Sequence, residues 1–156
     1  MFQSAFSSTS GWVILSEIEA RIKAKIEEAG TPLKDWDVQI NYGIKTGFNE
    51  AFIIDQKKRD ELIEKCPKAD QIIRPLIRGR DISKYNVEWK NLFIIGTFPS
   101  LKINIDEYPD IKNHLASFGQ PRLEQNGAPG SRKKTSNQWY ETQDSISYWE
   151  DFSKPK

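Results

Sequence analysis

Four cations, Arg74, Arg78, Arg80 and Lys84, stand within eleven positions and are opposed only by Asp81. Guanidinium forks at that density can take phosphate oxygens in pairs, or read O6 and N7 of guanine in a DNA groove. Asp81 can hold one arginine in place, so at least one of the three is structural. A second island, Arg132, Lys133 and Lys134, has no acid between residues 131 and 140, and Asn137 and Gln138 follow it. By type, these two amides are adenine readers. Upstream, Gly43-Ile44-Lys45-Thr46-Gly47 combines two glycines with a charge and a hydroxyl. Glycines allow backbone N–H groups to approach a phosphate closely. A plain hairpin turn between Tyr42 and Phe48 would explain the same residues, and a solvated face would explain each basic island. The candidate contacts to a polyanion are Lys45, Thr46, Arg78, Arg80, Lys84, Arg132, Lys133, Lys134 and Asn137.

Covalent chemistry has far less support. The chain has no Gly-x-Gly-x-x-Gly, no Walker loop, no Gly-x-Ser-x-Gly and no His-Glu-x-x-His. His114 is the only histidine, and it falls in a predicted helix at a surface or boundary position. Pro109-Asp110 could begin a nuclease carboxylate cluster, yet Glu124 is followed by Gln125 and Asn126, with no lysine at the required offset. The Asn/Asp-Pro-Pro-Tyr motif of amino-methyltransferases is missing from these residues. No catalytic residue and no metal site is expected here. Cys66 is the single cysteine, which excludes an internal disulfide and a cysteine-rich zinc site, and it reads as a small core or boundary residue.

At 156 residues the chain can bury one real core. Five Trp, five Tyr and eight Phe argue against disorder. The net charge of +1 conceals an asymmetry: residues 72 to 84 and 131 to 140 carry +3 each, which leaves −5 for the remainder. Two basic islands on an acidic body suit an anionic partner better than the overall charge suggests. No stretch approaches the roughly 20 apolar residues of a membrane span. The start has no basic region ahead of an apolar run, so a cytoplasmic protein in a reducing compartment is expected.

These residues need elements to position them. Residues 1 to 11 read as a flexible lead-in and residues 12 to 156 as one domain, with both ends cut from something larger. Ile18, Ile22, Ile26 and Ala29 form one apolar stripe, and Ser16 with Glu19 makes a capping box, so a helix is predicted over 16 to 29. Val38, Ile40 and Tyr42 alternate with polar residues, which predicts a strand; Ala51 to Ile54 read as a second, buried strand. A charged helix is predicted over 56 to 66. Pro75 interrupts any helix through 70 to 78, placing Arg78 to Arg80 on a loop. A strand follows at 91 to 97 and a helix at 106 to 118, stopped by Gly119. Residues 125 to 138 have no periodicity and read as a long exposed loop. The order predicts the α+β class: a mixed sheet with flanking helices and long exposed loops, in a single domain.

Two stretches, Tyr42-Gly43-Ile44-Lys45-Thr46-Gly47-Phe48-Asn49-Glu50-Ala51-Phe52 and Ile73-Arg74-Pro75-Leu76-Ile77-Arg78-Gly79-Arg80-Asp81-Ile82-Ser83-Lys84-Tyr85, carry a resemblance. They resemble the TaqI-like C-terminal specificity (target-recognition) domain of bacterial adenine-specific DNA methyltransferases and restriction-modification enzymes. The segment from 131 to 143, with Trp139-Tyr140-Glu141, is similar to that family's later basic loop and aromatic helix. The resemblance spans about residues 12 to 156. It implies a non-catalytic module that selects the double-stranded DNA sequence to be methylated, or cut in fused enzymes. The implied methyltransferase core of the same polypeptide would hold S-adenosylmethionine and flip the adenine; the residues present here would bind no cofactor. The rival expectation is a protein-interaction module docking another subunit through exposed aromatics.

Overall fold

The computed structural model describes residues 15 to 38 and 41 to 153. The lead-in expected at residues 1 to 11 lies outside them. The chain divides between Tyr42 and Gly43 into two units.

In the first unit, α1 (Glu17–Ala29) begins where the capping box places it. Ser16 accepts from the Glu19 backbone N–H, while the Ser16 N–H donates to the Glu19 carboxylate at 2.7 Å. That bond holds the Glu19 carboxyl below its ordinary range. The stripe of Ile18, Ile22 and Ile26 is solvent-exposed, and α1 buries no residue. The strand expected over 38 to 42 does not form at Val38, Asn41 or Tyr42, and residues 39 and 40 lie outside the described residues.

The second unit holds the sheet and the core, and its class is the expected α+β. Thr46 turns the chain first. Its hydroxyl accepts from the Phe48 N–H at 3.1 Å and donates to Asn49 Oδ1 at 2.7 Å. The run read as a buried strand therefore opens instead as one helical turn, α2 (Asn49–Phe52), and only then extends as β1 (Ile53–Asp55). A short apolar run fits either state, and the side-chain bonds of Thr46 decide between them. Asp55 caps α3 (Gln56–Lys65) by accepting from the Lys58 N–H. Then β2 (Ile73–Leu76) forms in the stretch where Pro75 was expected only to interrupt a helix. Pro75 is tolerated because β2 is an edge strand. A short hairpin of β3 (Ile82–Ser83) and β4 (Asn86–Val87) precedes β5 (Leu92–Ile95), and α4 (Pro109–Ala116) and α5 (Gln120–Leu123) follow.

The three-stranded sheet has the order β1-β5-β2, antiparallel throughout. Central β5 is apolar at every position because both of its faces are covered. Phe93 and Ile95 face the main core with Ile54, Ile73, Phe52, Leu62, Ile111, Leu115 and Leu123. Ile94 faces a second cluster with Phe98 and Ile146, closed by Leu76, Trp149 and Phe152. His114 joins two helices across the main core: its Nε2 lies 3.1 Å from the Ala51 carbonyl, and its ring meets Phe118 edge-on.

Candidate nucleic-acid interface

The basic residues divide into those the fold uses and those it leaves at the surface. Arg132 belongs to the first group, which corrects its reading as a DNA contact. It is only 4% exposed. Its Nε donates to the Leu123 carbonyl, Nη1 to those of Thr46 and Glu141, and Nη2 to that of Trp139, all between 2.7 and 2.8 Å. The guanidinium also lies 5.2 Å from the centre of the Phe52 ring. Burial pulls its pKa down to about 10, which leaves it cationic at neutral pH. Four carbonyl dipoles replace the lost water and take four of the five guanidinium N–H groups, and the side chain is buried away from any phosphate.

The same centre accounts for two more candidates. Thr46 is buried and its hydroxyl is committed to Phe48 and Asn49, where it shapes the turn. Asn137 is half-buried, and its amide donates to the carbonyls of Thr142 at 3.1 Å and Gln143 at 2.9 Å, a structural clamp rather than an adenine reader. Residues 125 to 138 are therefore not the freely exposed loop expected. Buried Gln125 donates to the carbonyls of Gln138 and Glu141 and accepts from Thr135, tying both ends of the segment down. Within it, residues 126 to 130, Lys133, Lys134, Ser136 and Gln138 stay exposed. Trp139 and Tyr140 lie in a turn closed by the Glu141 N–H on the Gln138 carbonyl, where an aromatic helix was implied.

The first island divides in the same way. Arg74 donates to the carbonyls of Asp70 and Ile73 and stacks 5.1 Å from the Trp149 ring centre. Arg78 grips Asp81 with two bonds, Nε to Oδ2 at 2.7 Å and Nη2 to Oδ1 at 2.9 Å. That pairing, foremost through the Arg78 side chain, holds the Asp81 carboxyl below its usual range and raises Arg78 in turn. Arg78 is thus the structural arginine that the acid foretold, with its Nε and Nη2 spent on Asp81. Arg80 and Lys84 are exposed, and among the described residues no acid lies within salt-bridge distance of either. Lys133 and Lys134 stand the same way. Lys45 is exposed as well, with Asp144 at 3.7 Å. Sequence reasoning saw the excess charge but could not see which half the backbone carbonyls would absorb.

Of the candidate contacts, five remain as exposed cations: Lys45, Arg80, Lys84, Lys133 and Lys134. Among the described residues, no group of three or more His, Cys, Asp or Glu side chains is placed to hold a metal ion. None of the described helices is long and apolar enough to cross a membrane.

No family model matches the chain. It is similar to the Type II methyltransferase M.BstVI of Geobacillus stearothermophilus, 29% identical over 161 aligned positions that cover all of this chain and 26% of that protein. It is also similar to the Type II methyltransferase M.PaeR7I of Pseudomonas aeruginosa, 26% identical over 137 positions, 86% of this chain and 22% of that protein. The chain therefore spans about a quarter of the length of the curated relatives it matches.

Proposed function

We propose that this chain is a DNA target-recognition module of a restriction-modification methyltransferase, of the TaqI-like specificity type. It positions double-stranded DNA for a catalytic core that it does not itself contain. The observation that carries this reading is the alignment of the whole chain within about a quarter of a Type II methyltransferase. The surface supports it: of the candidate cations left after the fold has used Arg78 and Arg132, Arg80 and Lys84 lie at the β3–β4 hairpin, and Lys133 and Lys134 are exposed positions of the 125 to 138 segment. On this reading S-adenosylmethionine and adenine methylation belong to the core of the same polypeptide, and this module supplies the register on the duplex.

Duplex binding measured across a salt series tests it. Each lysine or arginine reaching a phosphate contributes about −0.9 to the slope of log affinity against log salt. Four such contacts give a slope of about −3.6. Removing Arg80 with Lys84, and Lys133 with Lys134, should flatten the slope additively if both islands engage one duplex. A slope indistinguishable from zero, or no retention of duplex at the lowest salt, would overturn the reading.

A second reading, docking of a protein partner, is favoured by one feature: the exposed apolar stripe of α1 with Trp36 beyond it. Salt-insensitive association with a partner polypeptide, with no retardation of DNA, would select it.

A further inference from the structure

The β3–β4 hairpin is built stiffly at its base and carries an unexplained aromatic at its tip. Ile82 pairs with Val87 and Ser83 with Asn86, which leaves Lys84 and Tyr85 as the turn. The base is fixed by the Arg78–Asp81 pair and by the Glu88 N–H on the Asp81 carbonyl at 3.0 Å. Tyr85 adopts φ 68, the left-handed region, where a side chain is strained and glycine or asparagine would not be. Its ring is 94% exposed and contributes to neither core cluster. Its described neighbour is the Lys84 ammonium, 5.1 Å from the ring centre. Burial would explain a strained tyrosine; a fully exposed one has no role in holding this fold.

A second position in the same segment is equally unneeded. Gly79 has no positive φ, and a Cβ built on it would meet nothing within 4 Å. The fold would accept alanine there, yet the sequence keeps bare backbone beside Arg80.

The charge of the segment narrows the class of ligand. The only acid between Gly79 and Val87 is Asp81, whose side chain is 5% exposed and spent on Arg78. Arg80 and Lys84 therefore add exposed positive charge to the segment that carries the exposed ring, with the Lys84 ammonium 5.1 Å from the ring centre. An exposed ring in a basic segment suits a ligand that offers a flat base and phosphate charge together. A two-stranded ribbon also matches the width of the DNA major groove.

We propose that the β3–β4 hairpin is the DNA-reading ribbon, with Tyr85 wedged against the face of a nucleobase at an unstacked step of the duplex. Arg80 and Lys84 take the flanking phosphates, and the open backbone at Gly79 permits their close approach. This rests on the DNA-binding reading above and assigns it a residue that charge alone would not single out.

The test uses the full chain with Tyr85→Asn, Tyr85→Phe and Gly79→Ala, scored on unfolding and on binding to a pool of short duplexes of randomised sequence. Y85N keeps the left-handed turn without the ring, so it should fold at least as stably as the parent. Its affinity should fall on the order of tenfold to a hundredfold, the worth of one stacked base. The salt slope should not change, because the ring neutralises no phosphate. Y85F should bind within about twofold of the parent, since stacking needs the ring and not the hydroxyl. G79A should unfold like the parent and bind less tightly. If the parent binds duplex with the expected salt slope and Y85N binds equally well, the stacking role fails while the DNA reading stands. If the parent binds no duplex at any salt, both fail together.

Discussion

Gly47 and Arg132 compete for one space: a Cβ on Gly47 would stand 2.9 Å from Cδ of Arg132. Gly47 also sits at φ 78, so any side chain there is doubly opposed. The glycine that looked like a phosphate cradle is what lets a buried guanidinium reach the Thr46 carbonyl. Arg132→Ala would leave four carbonyls without their donor, and we expect a loss on the order of 3 kcal/mol or more. Arg132→Lys should recover only part of it, because one ammonium cannot span four acceptors held in a fork geometry. Gly47→Ala should cost about 1–2 kcal/mol from the backbone conformation alone, before the clash is counted. Chemical denaturation measures all three, and an R132K midpoint equal to the parent would remove the structural role assigned to Arg132.

Arg78 and Arg80 are two residues apart and should respond oppositely. Arg80→Gln is expected to leave the unfolding midpoint unchanged while making the salt slope of duplex binding shallower by about 0.9. Arg78→Gln should lower the midpoint, because it strands the nearly covered Asp81 carboxylate. The two variants compared in one thermal scan and one salt series decide the matter. Equal effects of both on stability would mean that the division between structural and surface arginines is mistaken.

What the sequence reveals, and what it hides, follows from the range of the interactions involved. The α1 capping box, the α3 helix and the β5 strand are written in residues a few positions apart, and each forms where local spacing predicts. The α2 turn is also local, but it depends on which way the Thr46 hydroxyl points, and periodicity carries no such information. The β2 strand was obscured because Pro75 reads as a breaker unless its edge position is known. Arg132 is the clearest loss: within its run it cannot be told from Lys133 and Lys134. Its acceptors lie at Thr46, Leu123, Trp139 and Glu141, so its burial is decided by contacts as far as 86 residues away. Residue type shows that charge is in excess, and only the packed backbone shows how much of it reaches solvent.

His114 links stability to pH in a window apart from the carboxylates. Burial, foremost, lowers its pKa below 6.5, with Lys58 nearby acting in the same direction; the Ala51 carbonyl and Glu61 oppose the shift. The folded state thus favours the neutral ring while the unfolded chain protonates more readily. This contribution is complete above about pH 6.5 and declines as pH falls toward the lowered folded value, after which it is flat. Asp81, Glu61 and Glu107, whose carboxyls are held low by cationic partners, add their losses only at more acidic pH. His114→Gln should flatten the decline just below pH 6.5 and keep the acidic one. A parent and a variant with parallel curves across that window would show that His114 does not titrate on unfolding.

Gly96 and Trp149 form the tightest fit on the other face of the sheet. A Cβ on Gly96 would fall 2.5 Å and 2.6 Å from two atoms of the indole, so the ring lies directly over the bare backbone at the end of β5. The indole is held there from several sides: Phe98 and Phe152 pack on it at 5.5 Å and 5.2 Å, and Arg74 stacks at 5.1 Å. Gly96→Ala must therefore push the ring outward and loosen Arg74 with it. We expect about 1–3 kcal/mol of destabilisation from that overpacking. Trp149→Ala alone costs the packing of the ring, but it also vacates the space that the new methyl needs. The double variant should be less destabilised than the sum of the singles, because the clash exists only when both groups are present. Strict additivity in urea unfolding would mean that the indole does not rest on Gly96, and that the second cluster is closed some other way.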